Sequence, residues 1–364
     1  MKRIGNIYSK IYDMENLRLA HKNARRGKGW YEEVKRVDAN LDYYLNKLQK
    51  QLINHTYHTS KYTTFIKHDS GKDREIYRLP YFPDRICQWA ILQVIGDYIL
   101  KNLTSNTYSA IPNRGIHYGY KKLQKDIQSN KEKCKYCLKI DARKYYPSIN
   151  HDILKSKYRS IFKDKELLWL LDEIIDSTEG DTGIPIGNYL SQFSGNFYLS
   201  SFDHWIKEEK HVDSYHRYMD DIVIFAETKE ELYLLRIEID KYFRENLKLE
   251  MKGNWQIFPT FVRGVDFLGY RFFWDYTLLR KSTLKRMKRA LIPIHKKVSK
   301  GNMINYHEWC QINSYKGWLK WCDGFNLYRK YILPLESACD SYYTNVIKRK
   351  VCIAWKITGC REVP

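Results

Sequence analysis

Between His216 and Phe225 the chain reads His-Arg-Tyr-Met-Asp-Asp-Ile-Val-Ile-Phe, with two adjacent acids set between an aromatic segment and a β-branched run. Branched side chains favour extended backbone and pack well on a pleated surface. Tyr215–Phe225 is therefore expected to be strand–turn–strand, with Asp220 and Asp221 at its tip. Acidic pairs at turns are most often solvated turn formers, so this pair alone implies no chemistry. A second segment changes that. In Leu138-Lys-Ile-Asp141-Ala-Arg-Lys-Tyr-Tyr146-Pro-Ser-Ile149, period-two alternation puts Lys139 and Asp141 on the face opposite Leu138 and Ile140. A strand-end Asp together with an apolar-flanked Asp-Asp hairpin is what metal-assisted phosphoryl transfer needs. Two divalent cations about 3.5–4 Å apart require carboxylates from separate strands, one cation activating a hydroxyl and the other stabilising the leaving group. Without cations the three acids repel one another.

The overall charge fits such chemistry. Lys and Arg number 63 against 42 Asp and Glu, a net +21 over 364 residues, and an excess of that size implies a polyanionic partner. Aromatic residues make up 15% of the chain; beside basic groups such rings commonly stack on bases, although some must be ordinary core. Hydrophobic residues at 43% suffice for a real core and exclude wholesale disorder. No run approaches the ~18 apolar residues of a membrane span. The first six residues, Met-Lys-Arg-Ile-Gly-Asn, carry charge with no apolar segment behind it, so a secretory signal is not expected and a cytoplasmic location is. Eight cysteines in such a chain do not read as a disulfide framework. Cys134 and Cys137 form a CxxC without a second ligand pair at matching spacing, which favours reduced structural thiols over a zinc site.

Along the chain, the first 55 residues read as helix, with Leu41, Tyr44, Leu45, Leu48 and Leu52 on one apolar face. The basic, glycine-broken stretch His21–Gly29 reads as a surface segment able to touch phosphates. Residues 61–79 suggest a hairpin turning at Asp69-Ser-Gly71, and Arg85–Leu100 a helix. Tyr136–Ile140 reads as a buried strand, Leu154–Ile175 and Tyr189–Lys210 as helices, Gly183–Gly187 as an extended turn, and Glu230–Asn246 as a charge-laced helix. After Leu278 strand signals fade and the chain looks helical and basic.

These residues resemble reverse transcriptases. Tyr218-Met-Asp-Asp221 reads as their YxDD box, and Asp141 with Tyr146 as their first palm motif. The resemblance runs in order along most of the chain. Phe65-Ile-Lys67-His-Asp-Ser-Gly-Lys72-Asp-Arg74-Glu-Ile-Tyr-Arg78 is similar to the fingers hairpin whose basic residues grip the incoming triphosphate. Pro83-Asp-Arg85-Ile-Cys-Gln88 and Ile111-Pro-Asn-Arg114-Gly115 are similar to the next blocks. Gly183-Ile-Pro-Ile186-Gly187-Asn-Tyr-Leu-Ser191-Gln192 takes the place of the nucleotide-pocket loop and helix, Phe267-Leu268-Gly269-Tyr270 that of the primer grip, and Ser314–Leu319 that of a thumb segment. Most of the family reads QGxxxSP at the pocket, whereas Ile186-Gly187-Asn-Tyr-Leu-Ser191-Gln192 is similar to the [ILV]GxxxSQ pattern of diversity-generating retroelement enzymes. Asn16-Leu17, Ala20 and Gly27-Lys28-Gly29 fit the same group.

The resemblance implies an α+β right-hand architecture. Residues 1–84 would form a helical extension and fingers hairpin, 85–148 the first part of the palm, and 149–189 a second part of the fingers. Residues 190–277 would form the palm with the YMDD hairpin and primer grip, and 278–364 a basic helical thumb. It implies an RNA-directed DNA polymerase of a bacterium or phage that copies template-repeat RNA with errors at adenines, using two Mg²⁺ per site with Mn²⁺ as a substitute. Asp141, Asp220 and the Ala142 carbonyl would hold the metals with Asp221 in support. Lys67, Arg74, Tyr146, Ile186, Gly187 and Gln192 would face the dNTP, and Lys252 is a candidate proton donor to pyrophosphate. Arg114, Lys281, Lys285, Arg286, Lys288 and Arg289 would contact the RNA/cDNA duplex, and a basic accessory variability protein would be a partner. The alternatives are a retron, maturase or abortive-infection enzyme, or a nucleic-acid-binding protein with a dead palm. No zinc endonuclease signature follows the thumb, against a maturase; a retron enzyme would keep QGxxxSP; and intact acids argue against a dead palm.

Overall fold

The computed structural model describes residues 2–69 and 72–348. Two compact units emerge. One comprises Met1–Gly119 with Tyr136–Ile257; the other comprises Tyr120–Lys135 with the chain from Phe258 on.

In the first unit the N-terminal region is broken into several helices rather than one. Asp13 starts the helix Met14–Ala24 by accepting from the backbone N–H groups of Glu15 and Asn16 at 3.0 and 3.2 Å, which satisfies donors that a helix start leaves open. Glu32–Ala39 and Leu41–Ile53 follow, meeting at Asn40. The last buries Leu45, Leu48 and Leu52, as the helical spacing requires. The helix Ile86–Leu100 carries apolar residues on every side and is correspondingly buried, with Ile86, Ala90, Ile91, Ile95 and Ile99 fully enclosed.

The single helix expected over Leu154–Ile175 is two, His151–Ile161 and Lys165–Ile175. The interruption is tertiary in origin. Ile4 bonds the backbone on both sides of Phe162, donating to the Ile161 carbonyl at 2.8 Å and accepting from Lys163 N–H at 2.7 Å. Asp164 then caps the second helix at Leu167 N–H while also accepting from Ile7 and Tyr8 N–H. Likewise the helix expected over Tyr189–Lys210 runs as Tyr189–Tyr198, Ser200–His204 and a widened turn Trp205–Glu209.

Strands β1 (Thr63–Asp69) and β2 (Lys72–Arg78) form the expected antiparallel hairpin. Strands β3 (Tyr136–Asp141), β4 (Tyr215–Tyr218), β5 (Asp221–Ala226) and β6 (Gln256–Pro259) form a sheet in the order β4–β5–β3–β6. Its centre is apolar, with Leu138, Ile140, Ile222 and Ile224 buried, and the helix Lys229–Leu247 packs Leu232, Ile239, Phe243 and Leu247 inward.

The second unit contains a three-stranded antiparallel sheet, β7 (Val265–Phe267), β8 (Tyr270–Phe272) and β9 (Thr277–Leu279). Tyr120 packs its ring 5.0 Å from both Tyr270 and Phe272 and 5.8 Å from Trp321. The helices Lys281–Val298 and Tyr306–Leu319 follow, the latter started by a reciprocal cap between Asn305 and Glu308. The segment Phe267–Tyr270, expected as a primer grip, groups with the C-terminal helices rather than with Asp141. No described helix is long and apolar enough to cross a membrane.

Candidate active site

Strand register brings the three acids together. In β3 and β5, Asp141 lies directly opposite Asp221, and on the other side of β5 Tyr218 lies opposite the same residue. Asp220 occupies the turn between β4 and β5, after Met219, whose φ of +57° is left-handed. Like charges facing each other across strands are unfavourable unless answered. Two lysines answer them. Lys139 Nζ is 3.1 Å from Asp221 Oδ1, and Lys252 Nζ pairs with Asp141 Oδ2. Lys252 is delivered there by the backbone: residues 250–252 run antiparallel to 141–143, with Lys252 N–H donating to the Asp141 carbonyl at 2.9 Å and Arg143 N–H to Glu250 at 2.8 Å. Ala142 sits in that same ladder, bridged to Met251.

Asp220 carries the largest electrostatic burden. Burial, a hydrogen bond to Asp141 and the charge of Asp141 push its carboxyl up to about 7. With both acids ionised, Oδ1 of Asp141 is buried and meets no donor. A buried, donor-free oxygen beside a second carboxylate with a raised proton affinity is a fit for a cation. Among the described residues no three His, Cys, Asp or Glu side chains stand as a ready cation cage; Asp221 and Asp141 are paired with Lys139 and Lys252.

Tyr146 stands beside this cluster. Its hydroxyl is pushed up by burial, then by the charges of Asp220 and Tyr218, so the phenol stays neutral. Its neighbour Tyr145 donates to the Gly195 carbonyl at 2.5 Å, and both rings lie against Gly195, where an added Cβ would be 3.5 Å from each. Ile184 N–H donates to the Tyr146 carbonyl at 3.0 Å, tying the Gly183–Gly187 loop to the same place. The next link runs to the fingers hairpin: Tyr77 N–H donates to the Ile186 carbonyl at 3.0 Å. Gly187 has φ +125°, and a Cβ there would come 2.9 Å from the Tyr77 carbonyl, so this close approach requires glycine. Ile186 and Gln192 are half-buried. Lys67 and Arg74 face each other across β1 and β2, both exposed. The side chain of Lys72 and the turn residues Ser70 and Gly71 lie outside the described residues.

The chain matches the family model described as reverse transcriptase (RNA-dependent DNA polymerase) over residues 66–272, more than half its length. The chain belongs to that family. The family's fold is the right-hand polymerase architecture, and the small antiparallel sheets set among helices here are of that class. Its members are nucleotidyltransferases that use divalent metal ions, an RNA template and nucleotides. Among solved structures the chain is similar to apo telomerase from Candida tropicalis, with TM-score 0.43 and 12% identity over 63% of this chain and 52% of that chain. It is also similar to a form of that telomerase truncated from its C-terminal domain, with TM-score 0.40 and 12% identity over 64% and 58%. The chain thus spans little more than half the length of these telomerases. No curated protein matches it.

Several residues with expected nucleic-acid contacts make other contacts in this chain. Arg114 donates to the carbonyls of Thr104 and Thr107 at 2.7 and 3.3 Å, bracing its own loop. In the second unit Lys281, Lys285, Arg286 and Arg289 are exposed along one helix, whereas Lys288 lies over the Tyr331 ring at 5.9 Å. Phe267 and Tyr270 pair across a two-residue turn in which Leu268 and Gly269 both have positive φ, +53° and +86°. Cys134 and Cys137 are both buried. One buried feature had no counterpart in the sequence expectations, the ion pair Arg217–Asp203 behind the Asp220 turn. Its signal was an arginine within the short aromatic strand Tyr215–Tyr218.

Proposed function

We propose that the chain copies an RNA template into DNA at Asp141, Asp220 and Asp221, and that it is the error-prone enzyme of a diversity-generating retroelement, acting on template-repeat RNA. In this reading Asp141, Asp220 and the Ala142 carbonyl hold Mg²⁺, or Mn²⁺ in its place, and Asp221 supports them. Bound there, the cations supply a lowered pKa for the primer 3′-hydroxyl and charge neutralisation for the pyrophosphate. The protein does the rest. Tyr146, neutral and packed on Gly195, forms the floor under the incoming sugar and excludes a 2′-hydroxyl. Lys67 and Arg74 grip the triphosphate, and Lys252, already paired with Asp141, donates a proton to the leaving pyrophosphate. Phe267–Tyr270 and the cationic helix Lys281–Val298 hold primer and duplex, with Lys281, Lys285, Arg286 and Arg289 the exposed phosphate contacts. A basic accessory variability protein and a bacterial cytoplasmic setting, in a cell or from a phage, belong to the same reading.

The observation that carries the subtype is Ile186. Its backbone carbonyl is taken by Tyr77, and its side chain has no group that donates or accepts a hydrogen bond. A pocket wall that packs without orienting loses one directional contact, worth roughly 0.5–1.5 kcal/mol net, or several-fold to tenfold in discrimination. Ile186→Gln is expected to lower misincorporation opposite template adenine several-fold while correct synthesis continues, read by sequencing cDNA made on a defined RNA. Errors spread evenly over all four template bases in the unaltered enzyme would remove the retroelement reading and leave a polymerase of the abortive-infection kind.

A further inference from the structure

Among the largest fully buried side chains of the described residues one is charged: Arg217, one residue before the YMDD turn, with its partner Asp203 equally enclosed. Removing two ions from water is expensive, and a well-packed apolar pair would serve stability as well or better. A buried ion pair retained at such a place calls for a reason other than stability.

Its geometry supplies one. The guanidinium grips Asp203 with two parallel bonds, Nε to Oδ1 at 2.7 Å and Nη2 to Oδ2 at 2.5 Å. Asp203 is itself held by the Tyr215 hydroxyl at 2.5 Å and the Thr107 hydroxyl at 3.0 Å. With one side of the fork so anchored, Nη1 reaches forward to the carbonyl of Met219 at 3.0 Å and sideways to Asn196 Oδ1 at 3.3 Å. That carbonyl belongs to the peptide joining Met219 to Asp220, so its direction sets where the Asp220 side chain begins. Met219 stands at φ +57°, a conformation that L residues other than glycine adopt only when their surroundings hold them there. Asn196 lies on the helix Tyr189–Tyr198, next to the Gly195 on which Tyr146 packs. One helix therefore references both the pocket floor and the acid-bearing turn.

We propose that the Arg217–Asp203 pair holds the Tyr218–Asp221 turn in its left-handed conformation, which makes Arg217 a positioning residue for the Asp220 carboxylate. The inference rests on Asp220 being a metal-holding acid. Lysine at 217 keeps the charge that balances Asp203, but a single ammonium cannot span both Asp203 oxygens, Asn196 and the Met219 carbonyl together.

The test is Arg217→Lys in the full chain, read four ways. Turnover should fall about tenfold or more, with KM for dNTP and Kd for primer–template within about twofold, the pattern of a contact that matters in the transition state. Mn²⁺ binding to the enzyme without substrate, followed by electron paramagnetic resonance, should weaken several-fold, since the acid is displaced before any chemistry. Glycine adopts positive φ freely, so adding Met219→Gly to Arg217→Lys should recover a several-fold part of the lost turnover. Should Arg217→Lys not fold, Thr107→Val carries the same test, being isosteric and removing one bond to each ion while leaving the pair. Unchanged turnover and Mn²⁺ binding in a variant with lowered melting temperature would overturn the proposal, as would losses that simply multiply when Met219→Gly is added. Asp220→Asn run in parallel separates the two readings: if that variant still polymerises, the site assignment has failed, not the positioning argument.

Discussion

Two antiparallel hairpins in this protein's first unit carry candidate site residues, and they are built in opposite ways. The β4–β5 hairpin is sealed: Tyr215, His216, Arg217, Val223 and Ile224 are wholly buried, Asp221 is paired with Lys139, and Arg217 ties the turn to two helices. The β1–β2 hairpin is open along its length, with Phe65 and Ile66 at 50% and 62% exposure and Lys67 and Arg74 in solvent. Its described tie to the pocket loop is the Tyr77–Ile186 backbone bond at 3.0 Å, beside Gly187. Under the proposed function the contrast follows from what each charge would do. Acids that share cations need coordinates accurate to fractions of an ångström, which only a packed and fully hydrogen-bonded surround supplies. Cations that meet a triphosphate need reach and hydration until the ligand arrives, and long side chains on an open strand provide both.

The comparison breaks most sharply at Asp220. Asp220→Asn should reduce DNA synthesis by ~10³-fold or more, while primer–template binding, which depends on Lys and Arg contacts to phosphate, stays within about twofold in a gel-shift titration. Equal loss of both would point to a damaged fold. Next comes the surround. Asp203→Asn leaves Arg217 charged, buried and unbalanced, and should lower unfolding free energy by roughly 3–5 kcal/mol in a denaturant titration. The matching truncation in the open hairpin, Lys67→Ala, should change it by less than about 0.5 kcal/mol. A similar cost in both would mean the two hairpins do not differ as described.

Function in the open hairpin should respond where stability does not. Lys67→Ala with Arg74→Ala is expected to raise KM for dNTP about tenfold or more with an unchanged melting temperature, since two charge-assisted contacts to phosphate are lost. The smallest effect concerns pH. In the metal-free protein Asp220 is raised from 3.8 to about 7 by burial and by Asp141. The folded state therefore holds a proton that the unfolded state releases between those values, so stability falls as pH rises through that window and levels off above it. Asp220→Asn should flatten this slope in melting curves taken from pH 4 to 8, and Mg²⁺ should offset the loss by binding the ionised acids. A slope that survives the substitution would place the titrating group elsewhere.

How much of this was legible beforehand varies with the range of the interaction. The strand–turn–strand around Asp220, the β1–β2 hairpin and the strand ending at Asp141 were readable because alternation and β-branching act over a few residues. The helices were overextended for the complementary reason. Apolar periodicity continues through Phe162, but the backbone there is claimed by Ile4, over 150 residues away in sequence. The left-handed turn at Leu268-Gly269 was read as a motif and not as geometry, since Leu gives no local hint of positive φ.

For the site, the amino-acid sequence alone singled out Asp141, Asp220 and Asp221 as the candidate acids, and the order of the blocks around them, because residue type and spacing carry that expectation directly. Only the tertiary structure decided how they are held. That Asp141 faces Asp221, that Lys139 and Lys252 stand against them, and that Arg217 spans Asp203 and the Met219 carbonyl are matters of register and packing between distant segments. A lone arginine in a strand has no readable partner until burial removes water and obliges each of its donors to find an acceptor within the protein.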